Sequence, residues 1–228
     1  VDNCILITDR KFAGADTCAT SSTLAAALEK NGFLYRLDIY MWNKAAKQLS
    51  DWKKRGIEKY HISVNISTKD FYLVDVYETF VDIVERNGIN PEKLKLEITE
   101  TTIMDNFERN IKIIKRLQDY GFKIEIDDFG SGYSSLNMLK DVKVDALKLD
   151  RVFFESGDND ERGKDIIQSV IKLAQALDLH TISEGVEERK QVEFLKEMHC
   201  DLIQGYVFAK PMPVPEFEQL AFGTEAAD

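Results

Sequence analysis

A chain of 228 residues suits one large domain or two small ones, because a single hydrophobic core can keep growing to roughly 250 residues. With 44% hydrophobic and 31% charged residues, 4 prolines and 12 glycines, it can bury a sizeable core, which excludes disordered, collagen-like and mucin-like classes. The 30 Lys and Arg against 40 Asp and Glu leave a net charge of −10, so polymeric nucleic acid is excluded as a partner and an anionic substrate needs a local cation or a metal.

From residue 60 onward, short β-rich runs alternate with segments of helical period. Residues 60–66 (YHISVNI) predict a strand, and 73–88 a helix with Val74, Val76, Phe80, Ile83 and Val84 on one side, closed by Asn87-Gly88. Strand 94–98 precedes helix 106–120, closed by Gly121; strand 122–126 precedes a helical stretch from Ser134; strand 145–149 precedes helix 163–178. Strand 180–183 precedes helix 187–198, strand 201–204 follows, and a last helix starts at Pro215. Such alternation predicts a parallel sheet under helices, with Glu155 to Gly163 (ESGDNDERG) as one loop inside a single domain, 1–228.

The strand ends carry the chemistry. One polar residue stands at or just beyond the C-terminal end of each predicted strand: Asn65, Glu97, Asp127, Lys148, Glu184 and Gln204, at intervals of 20 to 36 residues. In a closed βα barrel all such ends converge on one mouth, whereas an open doubly wound sheet joins only those near its switch point. The expectation is therefore an α/β fold, a modified TIM (β/α)8 barrel. Taken singly, each residue is explained as a helix cap or a surface pair, but six in phase with the strands are not.

The mouth would hold four carboxylates, Glu97, Asp127, Asp128 and Glu184, with Asn65 adding an amide oxygen and Lys148 the cation. Crowding so many anions implies divalent metal. Oxygen ligands point to Mg²⁺ or Mn²⁺, with Ca²⁺ as an inhibitory competitor. Cys4, Cys18 and Cys200 include no CxxC pair, and His61, His180 and His199 no HxH or HxxxH pair, so neither a disulfide framework nor a zinc site is indicated. No apolar run has the ~18 residues of a membrane span, and Cys4 to Ile7 is too short for a signal-peptide core; the expected location is cytoplasmic, with no membrane within this segment.

The segments SVNIS (63–67), LEITE (96–100), IDDFGSGYSSL (126–136), LKLDRVF (147–153), SEGVE (183–187) and IQGYVFAKPMP (203–213) keep their order and spacing and resemble the EAL domain family of cyclic di-GMP phosphodiesterases. The resemblance, from about Leu24 to Phe217, implies a modified TIM barrel, a homodimer, and cleavage of cyclic di-GMP to linear pGpG with two Mg²⁺ or Mn²⁺ ions. It implies Asn65, Glu97 and Asp127 as ligands of the first metal and Asp127 with Asp128 as ligands of the second. Lys148 matches the lysine near the attacking water, Glu184 the general base, and Gln204 a residue that positions water and metal. Glu100 and Glu187 match supporting positions, Glu100 holding the loop after Asp128. Such a domain is also expected as the cytoplasmic part of a larger signalling protein.

The departure lies at residues 1–23, a divergent first strand and loop. Counting back from the helix LAAALEKNGF (24–33), the glutamate that names the family falls at Leu6 within CILITDRKF. No Glu occurs before Glu29, and Asp9 is three residues off, on the opposite face by strand alternation. Arg10 matches the substrate-contacting arginine. Two functions follow: a phosphodiesterase of reduced activity, or an inactive receptor or protein-interaction module.

Overall fold

Strands rich in Ile, Val and Leu, each followed by an amphipathic helix, bury both sheet faces only if every helix carries the chain back to begin the next parallel strand. The computed structural model describes residues 5–8, 34–130, 136–150 and 161–223. In chain order the elements are β1 (Ile5–Thr8), α1 (Leu34–Lys54), β2 (His61–Ile66), α2 (Thr68–Leu73), α3 (Val76–Asn87), a 3₁₀ turn (Pro91–Lys93), β3 (Leu94–Thr99), α4 (Glu100–Asp105) and α5 (Phe107–Tyr120). They continue with β4 (Ile124–Phe129), α6 (Leu136–Asp141), β5 (Ala146–Leu149), α7 (Glu161–Ala176), β6 (His180–Ser183), α8 (Arg189–Glu197), β7 (Leu202–Ile203) and α9 (Val214–Phe222).

Among the described residues the seven strands pair in sequence order, β1 to β7, and every pair is parallel. The sheet curls into the expected TIM-like barrel. Ile62, Val64 and Ile66 of β2 and Leu94, Leu96 and Ile98 of β3 are buried under the helices. The alternate residues face the barrel axis. The last helix is held against α1 by aromatic packing: Trp52 of α1, Tyr60, and Phe217 and Phe222 of α9 form one cluster, with Tyr60 and Phe222 centroids 4.8 Å apart. The Tyr60 hydroxyl donates to Ala221 O at 3.0 Å, and Trp52 Nε1 to Glu218 Oε1 at 2.8 Å.

Several boundaries depart from the sequence expectation. Helix α1 was not predicted, although Leu34, Asp38, Met41, Trp42, Ala45, Leu49 and Trp52 recur at helical spacing and are buried. The predicted helix 73–88 starts instead at Val76, because Asp75 is an N-cap whose side chain accepts the Glu78 N–H, while α2 precedes it. Both predicted glycine stops hold, Gly88 at φ 60° and Gly121 at φ 119°. Strand β4 runs to Phe129 and so carries both aspartates, and α7 already begins at Glu161, inside the predicted loop. The helix at 24–33 and Arg10 lie outside the described residues.

The register of β1 bears on the missing glutamate. Leu6 pairs with Ile62 and Ile7 with Ser63, and registered residues of parallel strands share a face. Position 7 rather than position 6 therefore shares the face of Ser63 and Asn65. No helix among the described residues is long and apolar enough to cross a membrane.

Candidate active site

On a regular strand, adjacent residues face opposite sides, so Asp127 and Asp128 could not both serve one mouth. At the end of β4 the pairing with β5 shifts between Ile126 and Phe129, and Asp128 takes φ 52°. Such an irregularity re-aims side chains, and the left-handed conformation is one that Asp tolerates better than most residues. The Asp128 N–H donates to Asp127 Oδ1 at 3.1 Å. Asp127 is half-buried and Asp128 exposed at the rim.

Lys148 is the hub. Its ammonium, on the buried strand β5, lies 2.8 Å from Glu97 Oε1, 3.0 Å from Asp127 Oδ1 and 2.7 Å from Glu184 Oε1. Three carboxylates from β3, β4 and the end of β6 thus share one cation. Burial pulls the Lys148 pKa down, but Glu97, Glu184 and Asp127 outweigh it and hold the ammonium well above its ordinary value. For Glu97 the balance is reversed: burial raises it to about 8, with Asp127 and Glu125 adding to the rise and Lys148 opposing it. Glu184 is also raised, chiefly by burial, with Lys148 opposing. Asp128, though it reaches solvent, is crowded enough that burial, then Asp127 and Asp150, raise it.

The ends of β6 and β7 are clasped together. Gln204 N–H donates to Ser183 O at 2.8 Å, Val186 N–H to Gln204 O at 3.1 Å, and Val207 N–H to Val186 O at 3.1 Å. This crossing depends on Gly205, where a Cβ would lie 1.9 Å from Val186 O and 2.4 Å from Val186 N. Gly205→Ala is expected to cost about 1–3 kcal/mol, as overpacking does, by urea denaturation. Unchanged stability would show that the clasp yields freely.

The structure brings Glu97, Asp127, Lys148 and Glu184 into contact and sets Asn65 in register beside Glu97. Asp128 adjoins at the bulge, and Gln204 sits on the clasp. Glu100 is buried at the start of α4, with the loop it was expected to hold, 131–135, outside the described residues. Glu187 is exposed, and its backbone N–H donates to Gln191 Oε1. Sequence reasoning missed Trp42, whose Nε1 donates to Asn65 O at 3.0 Å, as well as Gly205 and a polar group beneath the carboxylates: buried Ser63 and Glu125 with half-buried Lys95. Strand alternation could have found the last three, since each lies two residues before Asn65, Glu97 or Asp127.

Among the described residues no three acidic, histidine or cysteine side chains form a metal cage, because the carboxylates converge on Lys148 instead. The donor chemistry nevertheless fits a hard divalent ion. Glu97 Oε2 and Gln204 Oε1 are buried without a hydrogen-bond partner, and the carboxylates outnumber the ammonium they share.

A family model described as EAL domain matches residues 13–211. Cyclic di-GMP phosphodiesterase NbdA of Pseudomonas aeruginosa is 36% identical over 191 residues, which cover 84% of this chain and 24% of that protein. The chain spans about a quarter of the length of the curated relatives it matches. Among solved structures, the PaMucR phosphodiesterase in complex with c-di-GMP is similar at a TM-score of 0.81 and 31% identity, covering 86% of this chain and 79% of that one. Klebsiella pneumoniae BlrP1, as a calcium/cy-diGMP complex, is similar at 0.69 and 26% identity, covering 78% and 45%. The family match, the shared barrel and the carboxylates gathered at its strand ends agree: the chain belongs to the EAL domain family of cyclic di-GMP phosphodiesterases.

Proposed function

We propose that this domain hydrolyses cyclic di-GMP to linear pGpG, at a rate lowered by the missing first-strand glutamate. Two Mg²⁺ or Mn²⁺ ions, held by Asn65, Glu97, Asp127 and Asp128, would supply an acidified water and neutralise charge on the phosphate. Glu97 Oε2, without a protein partner, is the donor most in need of a cation. Glu184, with 24% of its side chain exposed and its pKa raised by burial above the ordinary carboxylate value, takes the proton of the attacking water. The water oxygen joins phosphorus, the bond from phosphorus to the ribose 3′-oxygen breaks, and a proton passes to that oxygen. Lys148 stabilises the negative charge that grows during attack. Calcium is the expected inhibitory competitor at the same oxygens.

The contacts of Lys148 with Glu97, Asp127 and Glu184 carry this reading, since binding alone requires no buried ammonium joined to a base. Mass detection of pGpG after incubation with cyclic di-GMP and Mn²⁺ tests it. Binding without product would favour the receptor reading, to which the lack of any glutamate before Glu29 lends support. Mn²⁺ is also expected to raise the melting temperature, by the equivalent of about 2.7 kcal/mol at a hundredfold excess over Kd, and Asp127→Asn to lose that rise. An unchanged melting curve for the parent in millimolar metal would eliminate the metal site.

A further inference from the structure

Each strand that carries a metal-ligand candidate also carries an inward polar residue two positions earlier: Ser63 before Asn65, Lys95 before Glu97 and Glu125 before Asp127. These three residues meet. Lys95 Nζ lies 2.8 Å from Glu125 Oε1, and Ser63 Oγ donates to Glu125 Oε2 at 3.0 Å. Glu125 is 1% exposed and Ser63 fully buried. One carboxylate therefore cross-links β2, β3 and β4 below the mouth, with each of its oxygens committed to a different strand.

Nothing in barrel closure demands ions there, since an apolar layer fills the same space without desolvating a charge. A pair of fixed contacts does what apolar packing cannot: it sets how far one strand stands ahead of its neighbour. A one-residue slip of any of the three strands would turn its ligand away from the mouth, and it would also break the contact with Glu125.

We infer that Ser63, Lys95 and Glu125 form a positioning layer that sets the relative height of Asn65, Glu97 and Asp127, and so the affinity of the site for a divalent ion. This rests on the metal-site reading above. The three do not touch substrate; they act through the strands that bear the ligands, as outer partners of metal ligands do elsewhere.

The test is Mn²⁺ binding to the folded protein, read from the free Mn²⁺ signal in electron paramagnetic resonance, with circular dichroism and melting temperature measured on each variant. Glu125→Gln and Lys95→Met are each expected to weaken Mn²⁺ by about tenfold or more. The double variant should be little worse than either, because the two act as one unit. Lys95→Arg, which keeps the ion pair, should stay within about twofold of the parent. Leu195→Ala, a core truncation on α8, controls for stability: it should lower the melting temperature yet bind Mn²⁺ as the parent does. Should Glu125→Gln fail to fold, Ser63→Ala decides, since it removes the hydrogen bond to Glu125 without removing a charge and should still weaken Mn²⁺ measurably. Folded variants with parental Mn²⁺ affinity, or with losses matched by Leu195→Ala, would reduce the layer to a structural feature. A parent that binds no Mn²⁺ would remove the metal reading and this inference together, whereas a parent that binds beside unaffected variants removes this inference alone.

Discussion

Lys148→Ala is expected to reduce turnover of cyclic di-GMP by about 10² or more and to destabilise the domain by about 3–5 kcal/mol. The stability loss comes from what is left behind. Glu97, Asp127 and Glu184 would face one another without the ammonium that now lies within 3.0 Å of each. Lys148→Met keeps most of the aliphatic stem and separates the charge from the packing. Because a divalent ion offsets the same repulsion, Mn²⁺ should recover part of the stability of either variant without restoring turnover. Glu184→Gln should match the loss of turnover at a smaller cost in stability, since the Glu184 side chain is 24% exposed against 1% for Glu97. Urea denaturation with and without Mn²⁺, beside pGpG formation, reads all of these. Parental turnover in Lys148→Ala would place the chemistry elsewhere in the barrel.

Stability without metal should fall as pH rises, and Glu97→Gln should flatten that fall. The Glu97 pKa in the folded chain, about 8, lies above the ordinary value of 4.5. Below the ordinary value both states hold the proton, and folding carries no penalty from this group. Between the two values the unfolded chain has released a proton that the folded chain keeps, so stability declines by at most about 1.4 kcal/mol per pH unit. Above the folded value both states are ionised and the penalty stays constant. Glu184, also raised, acts in the same direction. A bound dication favours the ionised form and should abolish most of the decline. The measurement is urea denaturation in EDTA from about pH 5 to about pH 8, for parent and variant. Parallel curves would mean that Glu97 is ionised throughout, and that Lys148 suffices to keep it so.

Much of the site was legible in the sequence because it lies on short-range patterns. The βα period set Asn65, Glu97, Asp127, Lys148, Glu184 and Gln204 at the ends of successive strands, and parallel strands in one barrel bring such ends together whatever the details of packing. Glycine stops at Gly88 and Gly121 were readable for the same local reason, a positive φ at a helix end. Helix α1 is encoded just as locally, since its buried residues have helical spacing.

What the sequence by itself determined is the fold class, the family and that Glu97, Asp127, Lys148 and Glu184 lie at converging strand ends. Only the tertiary structure decided how they gather. Lys148 holds three carboxylates at once, Asp127 and Asp128 share a strand end through a register shift and a positive φ, and Ser63, Lys95 and Glu125 meet two residues below Asn65, Glu97 and Asp127. The same is true of β1, where the register sets position 7, not position 6, on the face of Asn65. These features depend on how far each strand stands ahead of its neighbour. Residues paired in this way are separated by 20 to 56 positions in the chain, and their register is settled by packing of both sheet faces at once, which no local periodicity encodes.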